Sequence, residues 1–186
     1  MLVTARRSEL GAQLRAGAAP LGDVFTWLSA LYFRGKLTYA RRFANPPRRA
    51  PGALVMAPGR GLCPPEQPIS AADLREMGTI EVESRAFTDP LRRDAEQLER
   101  YRPRGARIVL LGSIASGKYV RTLLEIFGDR LLFPETFVGR GDMSRGGLLL
   151  RAARSGDELA YIPVAGAVVR GKRPPRLPRL PRSQST

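Results

Sequence analysis

Residues 107–128 read RIVLLGSIASGKYVRTLLEIFG. Ile108 to Leu111 is an apolar run of strand length, too short for a helix. Gly112, Ser113, Ser116 and Gly117 follow as small, turn-prone residues. Val120, Leu123, Leu124 and Phe127 then recur at helical spacing, and Gly128 stands where a helix-ending glycine belongs. The stretch predicts strand, tight loop and helix. In open α/β sheets, ligands bind at such loops, outside the carboxyl ends of the strands.

The same residues spell a near P-loop, with Gly112, four residues, then Gly117 and Lys118. Backbone N–H groups of such a loop cradle phosphates, and the lysine reaches the terminal ones. Here Tyr119 replaces the small hydroxyl residue that would hold Mg²⁺, and no apolar strand ending in Asp follows to replace it. The motif therefore argues against an ATPase or GTPase and leaves two readings. One is a phosphate or nucleotide site without hydrolysis. The other is an ordinary strand-to-helix turn. In the first reading Lys118, at the start of its helix, faces an anion.

Two other strands lead into glycine loops. Residues 53–57 (ALVMA) precede Pro58-Gly59-Arg60-Gly61-Leu62. Residues 131–133 precede FVGRGDMSRGG at 137–147, and a helix is predicted from 148 to about 156. If the strands at 53–57 and 108–111 lie parallel in one sheet, their loops share an edge. Gly59, Arg60 and Gly61 then meet Gly112, Ser113, Ser116, Gly117 and Lys118, an arrangement suited to an anion. Arg140, Asp142 and Arg145 are the candidates from the third loop.

Helices are predicted at 5–16, at 23–44 with a break or kink at Gly35, at 71–77 capped by Ser70, and from Asp89-Pro90 to about 101. In the second, Val24, Trp27, Leu28, Leu31 and Tyr32 share one face. That stripe is read as core, with base stacking beside the arginines as the alternative. Ile80 and Val82 suggest an edge strand or extended loop. Residues 159–164 suggest a last strand, at a sheet edge because of Pro163.

Charge divides the chain into a basic N-terminal arm (1–20), an α/β domain (21–168) and a basic, proline-rich, disordered tail (169–186). Residues 1–50 carry +7, residues 51–168 only +1, and residues 169–186 +6. Basic ends suit nucleic acid or another polyanion, although 28 arginines against three lysines also fit a GC-rich genome. One cysteine excludes an internal disulfide, and without histidine there is no Ser-His dyad and little to build a zinc site. No cofactor or metal is expected. No run has membrane-span length and the first residues do not read as a signal peptide, so the expectation is a cytoplasmic, bacterial-type protein without membrane contact.

The order of pieces carries a resemblance. LYFRGKLTYARRFA, a strand into APGRGLCPP, VLLGS followed by KYV, LLFP, and FVGRGDMSRGGLLLR resemble a family of uncharacterised bacterial and phage domains. That family is distantly similar to the uracil-DNA-glycosylase-like fold, including a domain of archaeosine-synthesising tRNA enzymes. The resemblance covers about residues 25–155. It implies a three-layer α/β/α sandwich with a short, mainly parallel central sheet, uracil-DNA-glycosylase-like or Rossmann-like, and a cleft at the strand ends. Glycosylases of that fold use an Asp or Asn after the first strand and a late histidine. This chain has no histidine and carries Arg60 in the early loop, so no catalytic residue transfers.

Three functions compete. The first is a nucleic-acid-associated protein with a nucleobase or phosphate cleft, its partner nucleic acid or a nucleotide. The second is an enzyme acting on a nucleotide or nucleobase derivative, with Asp142 as candidate base. The third is an interaction module working through its proline-rich tail.

Overall fold

The computed structural model describes residues 2–48, 50–100, 106–114, 117–167, 174–175 and 177. It is a mixed α/β fold with, among the described residues, six α-helices, α1 (Leu2–Arg15), α2 (Leu21–Phe43), α3 (Ala71–Thr79), α4 (Arg85–Arg100), α5 (Gly117–Phe127) and α6 (Asp142–Ser155), and short strands between them. The strands are β1 (Ala19–Pro20), β2 (Val55–Ala57), β3 (Gly61–Cys63), β4 (Pro68–Ile69), β5 (Ile108–Val109), β6 (Leu131–Pro134) and β7 (Tyr161–Pro163).

The expected single, mainly parallel sheet is not what the described strands form. They make three small sheets, β1-β4, β2-β3 and β5-β6-β7. Only β5 and β6 pair in parallel, through Ile108 with Leu131 and Val109 with Leu132. The reason lies after Ala57. Arg60 N–H donates to the Ala57 carbonyl at 3.0 Å and Gly59 has φ 73°, the signature of a type II turn with proline first and glycine second. The chain therefore folds back as a hairpin instead of crossing to β5. β7 takes the edge of its sheet, as Pro163 suggests.

Several boundaries move for physical reasons. α2 runs unbroken through Gly35, because that glycine lies against the backbone of Gly146. α4 begins at Arg85 and carries Pro90 inside it, so Asp89-Pro90 is not its start. Ile80 and Val82 lie in the turn before it, and Val82 is exposed. α6 starts at Asp142, absorbing much of the glycine-rich segment, and ends on Gly156 at φ 83°. α3 has the expected Ser70 cap, completed by Asp73 into a capping box.

The main core gathers Tyr39, Phe87, Leu91, Leu123, Phe127, Phe133, Phe137 and Leu149. A second core joins Leu21, Val24, Val55, Cys63, Ile69 and Met77, and Leu10 and Leu14 of α1 pack on it. α2 spans both. Its most extensive contact is with α6. A chain of hydroxyls ties it to β7: Leu159 N–H donates to Tyr39 Oη at 2.8 Å, the Tyr39 and Tyr161 hydroxyls lie 2.6 Å apart, and Tyr161 donates to Glu158 at 2.8 Å. No helix among the described residues is long and apolar enough to cross a membrane.

Candidate nucleic-acid interface

β5 and β6 are parallel neighbours, so the segments that follow them leave the sheet at one edge. After β5, Gly112 and Ser113 precede α5, and the Tyr119 hydroxyl donates to the Ser113 carbonyl. Tyr119 is buried, so a phenol that the P-loop reading had no place for closes this turn. Ser116 lies outside the described residues. Gly117 and Lys118 form the first turn of α5, and the Lys118 side chain is also outside them.

Tyr32 of α2 links this loop to the start of α6. Its hydroxyl donates to the Leu111 carbonyl at 3.4 Å. Burial pushes its pKa up to about 12, with the Arg145 guanidinium opposing and the Asp142 carboxylate adding to the rise. Tyr32 thus joins two of the three predicted loops, bonded to Leu111 next to Gly112 and Ser113 and close to Asp142 and Arg145. The raised phenol also sets a pH dependence. In the unfolded chain Tyr32 ionises near its ordinary value, so folding stability falls as pH rises from about 10 towards 12. Between pH 10 and 11, wild type should lose about 1 kcal/mol more than Tyr32→Phe in urea unfolding. Equal losses would show that Tyr32 ionises freely.

The loop at 58–62 goes elsewhere. Arg60 is held by α3, with Nη2 2.5 Å from Asp73 Oδ1 and 3.4 Å from Glu76 Oε2. Gly61 packs against Asp94 and Pro90 of α4. Gly59, Arg60 and Gly61 belong to the antiparallel hairpin of β2 and β3, which shares no sheet with β5, so the parallel pairing that was to bring Arg60 to Lys118 is not the one described. Nor is Cys63 a nucleophile at neutral pH, because burial and the Asp94 charge push its thiol up.

A cleft of about 1330 Å³ runs between α2 and α6. Leu31, Arg34 and Thr38 line it from α2, and Arg140, Asp142, Leu150, Arg151 and Arg154 from the loop and α6. Pro174, Pro175 and Leu177 of the tail close one side. Four arginines face one carboxylate. Arg140 is held by the Thr136 carbonyl at 3.0 Å, the Ser144 hydroxyl at 3.2 Å and the Pro175 carbonyl at 3.3 Å. α6 opens on Gly141 without a side-chain cap, and Gly141, Asp142 and Met143 at its start line the same cleft.

Trp27 corrects the sequence reading most sharply. It was expected in the core, yet it is 51% exposed and Leu28 is 53% exposed. Trp27, Leu31, Arg34 and Thr38 follow one another at spacings of four, three and four, a single stripe along α2. The stripe continues the arginine cleft with an exposed indole. Arg34, Arg151 and Arg154 were missed because single arginines in a basic chain carry little signal. The stripe of α2 was hidden because Trp27 and Leu31 also fit the apolar stripe with Val24 and Tyr32 and so read as core. No protein-family model, curated protein or solved structure matches the chain, so this geometry stands by itself as the basis for a functional reading.

Proposed function

We propose that the chain binds single-stranded nucleic acid, with phosphates on the arginines of the α2–α6 cleft and a base stacked on Trp27. The observation that carries this reading is the stripe on α2: an exposed indole in line with Arg34, beside Arg140, Arg151 and Arg154. Arginines supply sequence-independent phosphate contacts, and an aromatic platform accepts any base. We extend the same reading to the architecture. The β5-α5-β6 unit is a reduced counterpart of the parallel sheet in uracil-DNA-glycosylase-like and Rossmann-like sandwiches, with ligand loops at its carboxyl edge.

The test uses the chain's single tryptophan. Oligonucleotides of about 12 nucleotides, DNA and RNA, should quench Trp27 emission on binding. Affinity should fall steeply with salt, each lost phosphate contact removing about 0.7 from the logarithmic slope. Trp27→Ala should weaken binding by about 1–3 kcal/mol at constant salt slope. Arg34→Ala with Arg154→Ala should flatten the slope by about 1.4. Unmoved emission together with salt-independent affinity would sink the proposal.

A further inference from the structure

Nine residues along α2 from Trp27, half a turn round the helix, stands Lys36. It reaches Tyr32 of the same helix, whose hydroxyl meets the Leu111 carbonyl just after β5. Its ammonium lies 4.0 Å from the centroid of the Tyr32 ring. It has no hydrogen bond or ion pair with an oxygen among the described residues. Three donors of a half-buried cation are thus left with only a ring face. Such a charge is costly to bury without an acceptor.

The groups around it are of mixed sign. Asp142 of α6 attracts the ammonium, Arg145 of α6 repels it, and Tyr32 is a neutral phenol at ordinary pH. Burial, with Arg145 adding to it, holds the Lys36 amine below its ordinary value, so the single carboxylate does not compensate the site. Arg145 is the more fixed of the two cations. Its side chain is 13% exposed, its Nε donates to the Phe137 carbonyl at 3.3 Å, and its guanidinium sits 5.6 Å from the Phe137 ring centroid. Its contact with Asp142 is long, 3.4 Å, and the Asp142 side chain is 66% exposed and free to turn to solvent.

We propose that Lys36 and Arg145 hold the phosphate group of a small phosphate monoester at the carboxyl edge of β5 and β6. Two cations suit a dianion better than a monoanion, because a carboxylate leaves one of them uncompensated. The loop after β5 is tied to the same Tyr32 through the Leu111 carbonyl and is the segment that would border the rest of the ligand. This site borders the arginine cleft at Asp142 but uses neither its four arginines nor Trp27, so either reading can fail without the other.

The chain has three lysines, Lys36, Lys118 and Lys172, so ¹³C-dimethylation of the intact protein gives three lysine signals, assigned through single Lys→Arg variants. The probes are inorganic phosphate, a nucleoside 5′-monophosphate and the same nucleoside without phosphate. The monophosphate should shift the Lys36 signal and raise its titration midpoint, because the bound anion favours the charged amine. Affinity should fall as pH rises past the free-state midpoint of Lys36. The nucleoside should do neither, and a shift with inorganic phosphate alone would define an ester-independent phosphate site on the same two cations. Lys36→Met, of similar length and apolar, keeps the packing and should weaken monophosphate binding about tenfold or more, as should Arg145→Gln. A Lys36 signal that ignores the monophosphate, or equal affinity in Lys36→Met, would overturn the proposal. Movement of Lys118 with Lys36 still would also overturn it and assign the phosphate to the loop before α5.

Discussion

Gly146→Val is expected to leave little folded protein at 25 °C, and Gly146→Ala to cost about 3 kcal/mol. A Cβ on Gly146 would stand 2.8 Å from the Tyr32 Cα and 2.9 Å from the Leu31 carbonyl oxygen. One on Gly35 would stand 2.7 Å from the Gly146 carbonyl oxygen and 3.1 Å from its Cα. These neighbours are backbone atoms of two helices, 23 and 14 residues long, and no rotamer change relieves the overlap. The helices must separate. Separation uncovers Leu149 and Ala152, now 0% and 6% exposed, and opens both the cleft and the Lys36 site. Inside a helix alanine gains roughly 1 kcal/mol over glycine, while overpacking costs about 1–3 kcal/mol or more. With backbone against backbone the second term wins. Gly147 is the control in the next position. A Cβ there meets only Leu177 Cδ1, at an ordinary 3.7 Å. Gly147→Ala should therefore be neutral or stabilising by up to about 1 kcal/mol. Urea unfolding of the three variants decides it. If Gly146→Ala and Gly147→Ala behave alike, the close crossing of α2 and α6 is wrong.

That crossing explains much of what the sequence did and did not disclose. Residues 107–128 were legible because each signal was local: four apolar residues, small residues in a turn, helical spacing, and Gly128, which takes φ 55°. The start of α6 was not legible. Four glycines in GRGDMSRGG argue for a loop, and only the backbone of α2, far away in sequence, gives Gly146 a reason to sit in a helix. Gly35 was read as a break for the same reason. The hairpin of β2 and β3 was readable in principle, since Pro58-Gly59 is a type II pair, but a glycine loop after a strand suggested a ligand site more readily than a turn. Trp27 fell on an apolar helical stripe and so read as core. The helix buries a neighbouring face instead, because Gly35 fixes which side of α2 meets α6. Lys36 carried one faint mark, its rarity among the basic residues, and its setting depends on three segments that meet only in the fold.

Gly61→Ala is the second large effect, about 3–4 kcal/mol. It separates the turn reading of the hairpin from the ligand reading. Gly61 has φ 77°, a conformation that costs an L-residue roughly 1–2 kcal/mol. A Cβ there would overlap Asp94 Oδ2 and lie 2.7 Å from the Pro90 carbonyl oxygen. Asp94 cannot yield without loss, because the same Oδ2 accepts the Leu62 N–H at 2.9 Å and fastens the hairpin to α4. Leaving that N–H unpaired adds about 1–3 kcal/mol. Gly59 offers the comparison. It has φ 73°, but its Cβ would meet only the tip of Ile80, which can turn aside. Gly59→Ala should cost about 1–2 kcal/mol, the conformational part alone. Stability should thus fall in the order wild type, Gly59→Ala, Gly61→Ala. Oligonucleotide affinity of folded Gly59→Ala should match wild type, since no described hairpin residue lines the α2–α6 cleft. The opposite pattern, unchanged stability with weakened binding, would return the hairpin glycines to the ligand and show that the cleft is only part of the interface.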